Sequence, residues 1–195
     1  MRVLVLLVTT LLISGCATPR QATVTQRSAV EQELIVRSLE RAVAALDVER
    51  LLGRRVVFDL FALTGDQGFA REFVTARLQR RGLDIITDAT KADVRLKVFA
   101  TVLGVDRGET LIGTPALQAP IVSIAVPEIA LFKWIRHRGM AEIQLYAYDP
   151  NTDQLVEGVA AALGRAKYDE FKVLLVIGFA VSDLDERGEP VAERR

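Results

Sequence analysis

The chain has 195 residues, with 25 basic and 25 acidic side chains, one histidine and one cysteine. Zero formal charge leaves no excess positive field to hold nucleic acid or an anionic surface. A single cysteine excludes an intrachain disulfide, and with only one histidine beside it no tetrahedral cysteine–histidine zinc set can be assembled.

Met1 and Arg2 supply a short positive segment, and Val3 to Ile13 an apolar one interrupted only by Thr9 and Thr10. Ser14 and Gly15 then place small residues before Cys16. This is the layout of a secretory signal, too short for a spanning helix, which needs about 20 apolar residues. The Ile13-Ser14-Gly15-Cys16 run resembles the lipobox of bacterial lipoproteins. The resemblance implies cleavage after residue 15, a thioether-linked diacylglycerol on Cys16, and acylation of the new amine by a fatty acid such as palmitate. With Ala17 rather than Asp after the lipidation site, it further implies delivery to the outer membrane, facing the periplasm, rather than retention at the inner one. The alternative is an exported protein with ordinary cleavage and a free amino-terminal cysteine. Beyond the signal, 180 residues are enough for one domain with a core. Residues 16–27, polar with Pro19 and three threonines, read as a lipidated tether. Residues 28–185 form the domain, and 186–195 a charged tail.

Ser28 is placed to cap a helix to about Leu46, with Ile35, Leu39, Ala42, Val43 and Leu46 on one face. Residues 55–63 (RVVFDLFAL) suit a buried strand, and 66–81 a helix with Phe69, Ala70, Phe73, Val74 and Leu78 inward, ended by Gly82. Leu83 to Ile86 is a second short strand. Period-2 alternation marks strands at 92–103 and 141–148, and Asp149-Pro150-Asn151-Thr152-Asp153 is turn chemistry returning through 154–164. Residues 171–181 (FKVLLVIGFAV) read as a last buried strand, with a packed helix as the alternative. The expected class is α+β: a strand–helix–strand unit plus antiparallel hairpins in one sheet, with helices on one face.

This order of elements, with Ala92-Asp93 opening a long strand and the Asp149–Asp153 turn, is similar to the periplasmic α/β domain of the curli-secretion lipoproteins. The amino-terminal domain of the Tol-system propeller protein shares it. In those families a glycine is usual where this chain has Asp153. A closer resemblance is to an uncharacterised family of small bacterial lipoproteins, a domain of unknown function. It is carried by residues 106–113 (DRGETLIG), 127–133 (PEIALFK) and 146–149 (YAYD), and spans roughly residues 28–185. It implies an envelope lipoprotein and no particular activity.

Three groups of residues are candidates for chemistry. His137, in the basic run Lys133-Trp134-Ile135-Arg136-His137-Arg138, is expected as a solvated side chain at a helix end rather than as a catalytic base. Asp59 sits in an apolar run, where a carboxylate needs a partner such as Arg54 or Arg55. Asp106 and Glu109 flank Arg107 in a turn-like stretch. Together these carboxylates define the rival reading, a hydrolase or transferase working by general acid–base catalysis. Residues 110–135 have only Glu128 and Lys133 charged, with Pro115, Pro120 and Pro127 interrupting any helix. Either the stretch folds over the sheet as a connection ending in a short helix from Pro127 to His137, or it exposes a surface for a partner. That surface would comprise Leu111, Ile112, Leu117, Ile121, Ile124, Leu131, Phe132 and Trp134. The leading expectation is a non-enzymatic binding or assembly module, without cofactor or metal. Its partners would be the membrane, through lipid, and another envelope protein or further copies of the chain.

Overall fold

A computed structural model describes residues 26–118 and 125–184. Cys16, the tether up to residue 25, Ile121, Ile124 and the tail 186–195 lie outside them. Helix α1 (Ala29–Ala45) begins at a full capping box: Ser28 Oγ accepts from the Glu31 amide, and the Glu31 carboxylate accepts from the Ser28 amide. Strand β1 (Arg55–Ala62) buries Val56, Phe58 and Leu60. Helix α2 (Gln67–Arg80) buries Ala70, Val74 and Leu78 and ends before Gly82, whose φ of +93° suits a residue without Cβ. Phe69 and Phe73 were expected inward. Phe73 is half-buried, but Phe69 is 51% exposed, because only one helical stripe reaches the sheet. Strand β2 (Asp84–Ile85) returns parallel to β1.

The rest of the domain is built from long strands. β3 (Val94–Thr114), β6 (Ile129–Tyr148) and β7 (Leu155–Val173) have 21, 20 and 19 residues, and β8 (Ile177–Ser182) closes the sheet. β4 (Leu117–Gln118) and β5 (Ala125–Val126) make a separate two-stranded ladder between β3 and β6. The six-stranded sheet has the order β2-β1-β3-β6-β7-β8, parallel around β1 and antiparallel from β3 onward. The α+β class, with helices on one sheet face, is therefore what the chain adopts.

Three expectations are corrected. Residues 106–113 are not a turn but the continuation of β3, and residues 127–137 are not a helix but the start of β6. The backbone amides of 105–114 find partners across the ladder in 129–139, and long-range strand pairing overrides the local helix signal at Pro127 and Glu128. The 171–181 run is not one buried strand. It ends β7, turns at 174–176 and returns as the exposed strand β8.

The core lies between the helices and one face of the sheet. Inward residues of β3 are Val94, Leu96, Val98 and Ala100; then a bulge at Thr101 shifts the phase, so that Leu103 and Val105 turn inward. Helix α1 lies close on β6 and β7 at Gly139 and Gly164, where an added Cβ would collide with the carbonyl oxygens of Leu34 and Ser38. In the Asp149 turn, Asp153 takes φ +51°, a left-handed position that glycine, asparagine and aspartate adopt more readily than other residues. The Asp149 side chain accepts from the amides of Asn151 and Thr152, and these bonds hold its carboxyl below the usual range.

Helix length limits how much sheet is covered. At 1.5 Å per residue, α1 is about 25 Å long, whereas 21 residues of β3 extend about 70 Å. Val30, in the first turn of α1, packs with Val105 and Tyr168 against the cluster of Leu34, Ala166 and Leu184. Beyond that level β3, β6, β7 and β8 project as a sheet without helices.

Candidate functional site

The projecting sheet has two chemically different faces. On the helix side, polar residues are paired. Lys133 Nζ lies 2.9 Å from Glu109 Oε1 and 2.8 Å from Glu128 Oε2. Partial burial disfavours the Lys133 charge, and the two carboxylates more than compensate, raising its pKa above the ordinary lysine value. His137 is on this face too, in mid-strand rather than at a helix end. Its side chain is 12% exposed, its Nε2 is 3.8 Å from Glu170 Oε1, and its Nδ1 is buried without a hydrogen-bond partner.

Among the described residues, no helix packs on the opposite face. At its projecting end register brings together Ile112, Phe132, Val173 and Ile177, then Thr110, Trp134, Phe171 and Phe179. Trp134 stacks on Phe171 at 5.7 Å and 12°, and Phe171 on Phe179 at 5.0 Å and 15°. Ile112, Ile177, Phe179 and Val181 are each about half exposed or more. This ladder has one ionic anchor. Asp169 accepts from Arg138 at 2.8 and 3.1 Å and from Trp134 Nε1 at 3.1 Å, while Arg136 lies 4.7 Å over the indole. Burial raises the Asp169 carboxyl, but the bonds from Arg138 and Trp134 and the Arg138 charge outweigh it, so its pKa lies below the ordinary carboxylate value. The anchor orients the indole flat against Phe171. The face can thus offer an apolar and aromatic surface.

Of the residues expected in an interaction surface, Ile112 and Leu131 are more than half exposed, and Phe132 and Trp134 are half-buried on the bare face. Leu111 points to the other face, beside Lys133 in register, because strand neighbours alternate. Leu117 lies in β4, described by its backbone only. The contributions of Phe171, Phe179 and Val181 were missed because their run was read as buried. The alternation of Asp169, Phe171 and Val173 against Tyr168, Glu170 and Lys172 was the available clue.

The candidate carboxylates do not meet. Asp59 stands beside Lys97 on β3, and Arg55 is held by Asp93 (2.8 Å) rather than by Asp59. Asp106 lies nine residues further along β3, about 30 Å away, and Glu109 about 40 Å away. Being three residues apart on a strand, Asp106 and Glu109 also face opposite sides. Among the described residues no group of three or more His, Cys, Asp or Glu is placed to hold a metal. A pocket of about 800 Å³ opens between the start of α1 and the start of α2, where its two charged residues, Arg27 and Asp66, neutralise each other. Comparison with known proteins returns neither a matching family model nor a matching curated protein.

Proposed function

We propose that the chain is a lipid-anchored lipoprotein of the bacterial cell envelope, attached through Cys16 to the outer membrane and facing the periplasm. Its domain acts as a non-enzymatic binding or assembly module, joining another envelope protein or further copies of the chain. The observation that carries the binding role is the uncovered sheet face, with its ladder of Phe132, Trp134, Phe171 and Phe179. Contiguous apolar surface of this kind is uncommon on a monomer and marks contact sites. The anchor rests on the lipobox-like run before Cys16. Resemblance to the uncharacterised lipoprotein family, and at fold level to the curli-secretion and Tol domains, supports the same location. The acid–base reading has no comparable support, since Asp59, Asp106 and Glu109 stand apart along the sheet.

In-cell crosslinking of the mature protein, followed by identification of what it joins, tests the binding role. A discrete adduct that is lost in Phe179→Lys is expected; monomer alone across conditions counts against it. For the anchor, Cys16→Ser should abolish fatty-acid labelling and shift the protein out of the outer-membrane fraction on a density gradient. Unchanged labelling would remove that half of the proposal.

A further inference from the structure

The β7–β8 turn is unusual in both composition and conformation. Val173, Leu174, Leu175, Val176 and Ile177 follow one another without a polar side chain, and residues 174–177 are 60%, 44%, 66% and 53% exposed. Leu174 and Leu175 have φ of +50° and +68°, two successive left-handed residues in a turn where asparagine and glycine are the unstrained choices. The turn is held in place, not loose. The amides of Leu174 and Leu175 donate to the carbonyls of Leu131 and Ala130 at 2.8 and 3.1 Å, fastening it to the start of β6. Ile129 and Leu131, 44% and 52% exposed, stand beside it. Leucines kept in a strained, solvent-facing turn are not explained by folding, because turn formation favours other residues there.

The rest of the chain indicates what this tip meets. Trp134 and Phe171 lie three residues behind it on the bare face, where an aromatic belt would sit at a lipid–water boundary. Helix α1 points its amino terminus towards the projection, since Leu34 packs at Gly139 while Ser38 and Ala42, later in the helix, pack at Gly164, which pairs with Ala141 further from the tip. From Gln26, the ten residues back to Cys16 span at most about 33 Å. The sheet from Val105 to Thr114 projects about 30 Å. The Cys16 end of the chain can therefore reach the plane of the tip.

We propose that residues 173–177, with Ile129 and Leu131, dip into the surface of the lipid bilayer that holds the anchor, giving the domain a second point of membrane contact. This rests on the lipid-anchored reading above. Two contacts would hold the long sheet upright on the membrane and leave the ladder of Phe132, Trp134, Phe171 and Phe179 at a fixed height, with Trp134 near the interface.

The test uses the mature full chain reconstituted into phosphatidylethanolamine–phosphatidylglycerol vesicles. Leu175→Cys is labelled with an environment-sensitive fluorophore, and Thr152→Cys, at the opposite end of the sheet, serves as comparison. Brominated acyl chains should quench the probe at 175 and leave that at 152 untouched. The sole tryptophan, Trp134, gives a label-free readout. Its quenching should fall in Leu174→Asn/Leu175→Gly, which relieves the turn and so raises the melting temperature. A chain that floats with the vesicles while its 175 probe stays in water overturns the insertion and leaves the anchor standing. Equal quenching at 175 and 152 also overturns it. So does a 175 probe shielded in lipid-free oligomers and insensitive to bromine, which would assign the tip to a second copy. A parent chain that takes the thiol label at Cys16 and fails to float overturns insertion and anchor together.

Discussion

Individual residues carry the strain and the charge of this domain. A non-glycine residue in the left-handed region costs about 1–2 kcal/mol, so Leu174→Asn/Leu175→Gly should raise the denaturant midpoint by an amount equivalent to at least ~1 kcal/mol. An unchanged or lowered midpoint would show that the two leucines are stabilised by packing instead. Asp169 works in the opposite direction. It satisfies Arg138 and the Trp134 indole, and Asp169→Asn should destabilise by about 1.5–3 kcal/mol at neutral pH, the scale of a hydrogen bond to a charged group. The folded-state pKa of Asp169 is depressed, so its contribution is present above the unfolded carboxylate value near 4 and is lost as pH falls through the folded value. Urea melts of parent and variant should therefore converge as pH falls below the ordinary carboxylate value. A gap that persists would mean the charge is not what stabilises the site. Asp93 is held down to about 2 by hydrogen bonds from the Arg55 side chain and amide, and a carbon-detected titration should find it ionised where ordinary aspartates are half protonated.

Among the elements, helix α1 decides where the covered sheet stops. Its start is set by the Ser28 capping box, and Ser28→Ala should cost about 1 kcal/mol. Its seat is set by two glycines. At Gly164 a methyl group would collide with the Ser38 carbonyl, backbone that cannot rotate away, so Gly164→Ala should cost at least about 1–3 kcal/mol by overpacking. Gly158→Ala, on the same strand with open space around it, is the comparison and should be far milder. Equal losses at the two positions in chemical denaturation would argue against the close helix approach. The strand elements were less legible than the helix. Alternation at 92–103 and 141–148 reported a half-buried sheet correctly because one face there meets the core. Between 106 and 138 neither face meets it, and the bulges at Thr101 and near Leu131 reset the period-2 phase. The 171–181 run looked unbroken because its turn is written in leucine and valine, without the glycine or asparagine that normally marks a reversal.

At the scale of the whole molecule, one end is a two-layer α/β core and the other a single layer of sheet. A single layer with an apolar face is complete only against something else. Phe179→Lys and Ile112→Lys change side chains that are already half exposed or more. The double variant should therefore leave the melting temperature nearly unchanged while reducing crosslinked adducts and binding of an apolar dye. A large fall in melting temperature would instead place both residues in the monomer's own stability. The length of β3 explains why the candidate acid–base residues do not meet. Carboxylates that look adjacent in a chain are spread by strand rise, so Asp59, Asp106 and Glu109 end on different levels and faces of one sheet.

The amino-acid sequence by itself determined the α+β class, both helices, the inward stripe of α1 and that of α2 except for Phe69, the strand–helix–strand unit and the Asp149 turn. Each of these is written in local periodicity or in the chemistry of caps and turns, which act over a few residues. It also marked residues 110–135 as apolar without cause. What only the tertiary structure decided is why. Strand pairing carries Ile112, Phe132, Phe171 and Phe179 to one row although they are spread over almost seventy residues. A 17-residue helix is too short to cover strands of 19 to 21 residues, and the exposed surface follows from that difference in rise per residue.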